Sequence, residues 1–196
     1  MVPRDQKHLA EAKPSRDHRR SASIIGNHNE LHNAIARELT DNKVQVAVAD
    51  CAVSDAAAVI DSIRGSPADM YDTRETGPDS IVIVTACPRS PRARRGLCNW
   101  RTRVADRAEQ QRLTDLAVSA LTSTSNCRLL VVCDASRGTA PSVAIRWARH
   151  LAVGVDYEAR VNGASVISTS YLIVRSSMSV STAARLVAQW HHRSSA

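Results

Sequence analysis

A parallel α/β sheet with helices on both faces is the fold this chain of 196 residues predicts, and three features predict it. Short, continuous apolar runs such as Ile81–Val84 and Leu129–Cys133 read as strands buried on both sides. Segments with apolar residues at helical spacing alternate with them. The first three segments, strand, helix and strand, span about 30 residues, the length of one right-handed βαβ crossover. The length suits one domain and is short for two.

The elements follow in order. Residues 1–20 are polar, with six bases against three acids, and are expected to form a disordered basic arm. Ala22–Ile25 is a strand closed by Gly26, and Leu31, Ala34, Ile35 and Leu39 mark a helix over 31–40. Val44–Asp50 is the second strand, Ala56–Ile63 a short helix, 65–78 a loop and Ser80–Thr85 a buried strand. An arginine- and proline-rich loop, Pro88–Gly96, leads into a helix over 101–121. Arg128–Cys133 is a strand, Pro141–Val153 a helix, and Ala164–Ser168 with Tyr171–Val174 supply further strand material. The last helix spans 181–190, so the domain is expected over 21–190 with a flexible tail at 191–196. The whole is a Rossmann-like doubly wound sheet, which binds ligands at the carboxyl ends of its strands.

Composition narrows the function. The apolar runs are far shorter than the roughly 20 residues of a membrane span, and the polar start offers no secretory signal, so a cytoplasmic protein is expected. Five cysteines without a C-x-x-C pair argue against a disulfide framework or a zinc site. His28 and His32 could join Glu30 on a metal only within a helix, and no metal is expected. The net charge of +7 is concentrated at residues 88–105, where Arg89, Arg92, Arg94, Arg95, Arg101 and Arg103 stand without an acid. Such a patch suits phosphate or an acidic partner, although the shortage of aromatic rings disfavours nucleic acid.

The strand ends carry a family resemblance. Ile25-Gly26-Asn27-His28-Asn29-Glu30-Leu31-His32, followed by Asn33-Ala34-Ile35-Ala36-Arg37-Glu38-Leu39, resembles the cofactor turn T-G-x-x-x-G-x-G and A-I-A-x-x-L helix of the short-chain dehydrogenase/reductases. Asp79–Cys87 resembles that family's fourth strand, Arg128–Asp134 its fifth, and Ala148–Ala152 with Ala159–Ala164 the end of its sixth helix and the following strand. The resemblance spans roughly 21–190 and implies a single truncated domain of that type. It implies a relic nucleotide site at Gly26, Asn27, Asn29, Leu31, Asp50, Thr85 and Ala86. Asp50, 24 residues after Gly26, would favour NAD(H).

The departures from the pattern are chemical. Only Gly26 of the three glycines survives; Glu30 and His32 hold the other places, and a carboxylate at Glu30 opposes a pyrophosphate. The family's Tyr and Lys are absent, since lysine occurs only at Lys7, Lys13 and Lys43. Asp134 falls at the catalytic serine, Arg137 at the tyrosine and Pro141 at the lysine. Tyr171 and Arg175 share a strand, where residues four apart are about 13 Å distant, so they form no substitute dyad.

No catalytic residue is therefore expected, and no cofactor, with NAD(H) the one the relic site would take. The resemblance implies that the two long helices pair subunits, with Leu113, Leu116, Ala120, Val143, Trp147 and Leu151 as interface residues. The expected role is a catalytically inactive subunit beside an active short-chain dehydrogenase or ketoreductase of 3-oxoacyl or hydroxyacyl type. An active NAD(P)-dependent oxidoreductase using displaced groups (Asp134, Arg137 or Tyr171) is the first alternative. Binding of nucleic acid or an acidic partner through residues 89–103 is the second.

Overall fold

The structure is a computed structural model that describes residues 20–50, 78–88, 98–121, 127–164 and 166–193. The arm at 1–19, the helix expected at 56–63 and the arginine loop from Arg89 to Gly96 lie outside the described residues.

Five strands form one parallel sheet: β1 (Ser21–Gly26), β2 (Gln45–Asp50), β3 (Ser80–Ala86), β4 (Cys127–Asp134) and β5 (Val166–Val174), in the order β2-β1-β3-β4-β5. The chain winds outward from β1 to β2, then returns to place β3 on the other side of β1. The switch point therefore lies between the carboxyl ends of β1 and β3. The expected doubly wound sheet is the observed one.

Alternation along the strands divides the core in two. Ile25, Ala49, Ile81, Ile83, Leu129, Val131 and Cys133 face α2 (Cys98–Leu121) and α3 (Pro141–Val161). Ala22, Ile24, Val82, Val84, Leu130 and Val132 face α1 (Glu30–Asp41) and α4 (Val180–His192). The helices end by shared chemistry. Lys43 after α1 and Gly163 after α3 take positive φ, while Val44 and Ala164 donate back to Leu39 and Ala159, satisfying the last carbonyls.

Three boundaries differ from the sequence expectation. Helix α3 continues past Val153 to Val161 because Val155 and Ala159 extend its buried stripe; packing overrides the weak helix propensity of Gly154. Strand β5 is continuous through Ser168-Thr169-Ser170, paired along β4 from Arg128. Helix α4 includes His191 and His192, which were expected in the tail. His191 is buried, with Nδ1 2.7 Å from the Ser80 hydroxyl, and Arg20, expected in the arm, lies 2.7 Å from His192 Nδ1.

Candidate functional site

The carboxyl end of the sheet is built first by Gly26. A β-carbon there would stand 2.1 Å from the carbonyl oxygen of Val84, so β1 and β3 approach as closely as they do only because residue 26 has no side chain. The chain then turns through exposed Asn27 and His28 into α1. Asn29 caps that helix, its side chain accepting from the amide of His32 at 2.8 Å, and Glu30 supplies a carboxylate in the first turn. One amide at the positive end of α1 is thus met by the chain's own oxygen, with the Glu30 acid beside it. Leu31 is buried in the core beneath the turn, and His32 lies buried edge-to-face against His28, ring centroids 4.7 Å apart.

Asp50 ends β2 in register with Gly26. At the end of β3, Thr85 is buried, Ala86 exposed and Cys87 nearly enclosed, its amide donating to Asp134 at 2.8 Å. The Asp134 carboxylate accepts from the amide of Ser136 at 2.9 Å, so the residue in the serine's place forms a turn. Arg137 is exposed in that turn and Pro141 opens α3 at its first position, where a proline's missing N–H costs nothing. Tyr171 lies away from the strand ends, midway along β5 and half exposed.

Beneath these strand ends lies a group the sequence did not single out. The thiol of Cys133 and the hydroxyl of Thr139 donate toward the Cys87 sulfur, which holds the Cys87 thiol below its ordinary range and pushes that of Cys133 up. From α2, Asp106 and Glu109 face the same ends. Burial raises both carboxyls, and Asp106 raises Glu109 further against the hydroxyl of Thr85. The sequence signal for this group is the i, i+3 spacing of two acids on the helix after β3.

Among the described residues, Glu30, Asp106, Glu109 and Asp134 bring carboxyls to the carboxyl ends of the strands, with Arg137 exposed beside Asp134. The Glu30 carboxylate in the first turn of α1 opposes the pyrophosphate of a dinucleotide at that helix end. Among the described residues no group of three or more metal-ligating side chains is present, and no helix is long and apolar enough to cross a membrane.

Of the interface residues expected on the long helices, Leu113, Leu116, Ala120 and Leu151 are buried against the sheet, whereas Val143 and Trp147 pack on the same core and remain partly exposed. Helical periodicity marks a buried face without saying what buries it. The outer surface of α3 instead carries Val153, Tyr157 and Val161, 60 to 65% exposed, and Val104 is exposed on α2.

A doubly wound parallel sheet with its crevice between β1 and β3 is the class this geometry defines. No family model matches the chain, and no curated protein matches it significantly. Solved structures of similar fold do. A variant short-chain dehydrogenase/reductase from Serratia marcescens is 14% identical with a TM-score of 0.53, over 88% of this chain and 89% of that one. BdcA (YjgI) from E. coli is 15% identical with a TM-score of 0.49, over 88% and 90%. A short-chain dehydrogenase/reductase from Burkholderia vietnamiensis is 18% identical with a TM-score of 0.40, over 80% and 83%. The likeness to the Serratia structure shows a fold of the short-chain dehydrogenase/reductase type.

Proposed function

We propose that the chain is a non-catalytic subunit of this fold that pairs with an active short-chain dehydrogenase of ketoreductase type and supports that partner's assembly. The observation that carries the reading is the N-terminus of α1, where the Asn29 side chain accepts from the amide of His32 and Glu30 adds a carboxylate in the first turn. The turn at Asp134, exposed Arg137 and Pro141 at the start of α3 agree with it: the positions where the family's chemistry would sit serve turn and helix start. The pairing surface is the outer face of α3 beside α2, where Val153, Tyr157 and Val161 form an exposed apolar stripe.

The test is purification of the tagged full chain from its host at low and high salt, with mass spectrometry of stoichiometric partners. An intact short-chain dehydrogenase bearing its own Y-x-x-x-K is expected, lost in Tyr157→Glu, and its ketoreductase rate should rise until the two chains are equimolar. A chain recovered alone, or with nucleic acid that salt removes, contradicts the proposal. One observation favours a second reading, an oxidoreductase with displaced groups: Cys87, hydrogen-bonded to Cys133 and Thr139, and Glu109, hydrogen-bonded to Thr85, both lie at the end of β3 where this fold binds ligands. It requires NADH or NADPH turnover by the isolated chain that Cys87→Ala or Glu109→Gln abolishes.

A further inference from the structure

Strand alternation places Ser168, Ser170, Leu172 and Val174 on the face of β5 that α4 covers. Leu172 and Val174 pack on the core there, whereas the two small serines leave space beneath the last turns of the helix. A groove of about 280 Å³ opens at that place, lined by Ser168 and Ser170 from the strand, by Leu186, Trp190 and Arg193 from the end of α4, and by Arg128 from β4. It lies at the amino end of the sheet, away from the crevice between β1 and β3, and on the opposite face from α3.

The groove is rich in hydrogen-bond donors and lacks an acid. Arg128, half-buried at the start of β4, spends two of its five N–H groups on the carbonyls of Trp190 and His191 and lies 4.1 Å over the Trp190 ring. It thereby covers the negative end of α4 with three N–H groups to spare. Arg193 adds a second guanidinium as the C-cap of the same helix, and Gln189 an amide one turn before it. Among the described residues neither arginine meets a carboxylate, and the hydroxyls of Ser168 and Ser170 have no partner. Asp79, whose carbonyl accepts from the Arg128 amide, directs its carboxylate to Ser21. From Ala159 to Ala196 the chain carries four arginines and no acid. A cation held partly out of water without a counter-ion is costly, and an anion in the groove would relieve that cost.

We propose that this groove binds a phosphate monoester of a small organic molecule, with the phosphate on Arg128, Arg193 and the two serine hydroxyls and the organic body against Leu186 and Trp190. Two guanidiniums and two hydroxyls match the several acceptor oxygens of a tetrahedral dianion. Exposed Leu186 and half-buried Trp190 give the body an apolar wall, and the volume is that of a small-ligand site. The site owes nothing to the outer face of α3, so the two can be occupied independently.

Titration of the full chain with phenyl phosphate, followed by the heteronuclear NMR shifts of the Ser168, Ser170 and Gln189 amides, tests this. Saturation is expected at roughly millimolar probe or below, weakening as salt is added. Inorganic phosphate, which lacks the body, should bind about 10-fold more weakly. Arg193→Ala should weaken phenyl phosphate by about 10-fold or more, whereas Arg149→Ala, an equal loss of charge on the exposed surface of α3, should leave its affinity unchanged. Arg128→Ala also loosens α4, so Ser170→Leu supplies the variant that keeps the fold: it fills the groove and should abolish binding with unchanged circular dichroism. The absence of saturable shifts at these amides overturns the proposal, as does an affinity that survives both Arg193→Ala and Ser170→Leu. Inorganic phosphate binding as tightly as phenyl phosphate would mean an adventitious ion only and overturns it too. So does tighter binding of a single-stranded oligonucleotide through the same amides, which assigns the groove to nucleic acid. Recovery of a short-chain dehydrogenase partner bears on the α3 face alone.

Discussion

The two ends of the sheet are built to different standards. At the amino end, Ser80 and Asp79 of the β3 start, Arg20, Arg128 and the last turn of α4 form one network. Ser80 meets His191 at 2.7 Å, and the Asp79 carboxylate accepts from the Ser21 amide at 2.8 Å. Arg128 donates to the carbonyls of Trp190 and His191 while lying 4.1 Å over the Trp190 ring. At the carboxyl end, where this fold binds ligands, raised carboxyls crowd one another and polar residues form turns and caps. The difference teaches that, among the described residues, the long-range polar contacts fasten the last helix to the sheet, whereas polar groups at the ligand end make a helix cap and a turn.

Substitutions at the two ends can break or sharpen this contrast. The largest effect is expected at Gly26, where the carboxyl end bears directly on the pairing of β1 with β3. Gly26→Ala drives a methyl group into the backbone oxygen of Val84, which cannot move without parting β1 from β3, and should cost about 3 kcal/mol or more in urea unfolding. Next is pH. Burial holds His191 at about 4, against 6.5 when unfolded, with His192 adding to the effect. Between these values the unfolded chain binds more protons, so the stability present above pH 6.5 is lost as pH falls toward 4, by about 3 kcal/mol. His191→Asn should remove that slope. Arg128→Ala leaves two helix carbonyls without a charged donor and should cost about 2 kcal/mol, while Arg137→Ala in the exposed turn should stay within about 0.5 kcal/mol. Smallest is Glu109→Gln. Its raised carboxyl binds protons more readily folded than unfolded, so the charge opposes folding at neutral pH, and the amide should raise stability by less than about 1 kcal/mol.

What could be read from sequence follows from how each element is buried. β3 and β4 are central strands covered on both faces, so their apolar runs announce them and their partners. β5 is an edge strand, and Ser168-Thr169-Ser170 reads as an interruption because a strand with an open side need not be apolar there. Helical periodicity identified the inward faces of α2 and α3 at Leu113, Leu116 and Leu151 but not that the sheet covers them. Glu30 was legible because its place is set by a local turn. Cys87 with Cys133, Asp106 with Glu109, and Ser80 with His191 were not, since each depends on where separate elements meet.

The proposed non-catalytic role requires that the carboxyl end not hold a dinucleotide, and titration calorimetry of the isolated chain with NADH and NADPH tests it most directly. The account predicts no saturable heat up to millimolar cofactor in the wild type. Saturation by either cofactor at tens of micromolar, weakened by Asp50→Ala, would contradict it.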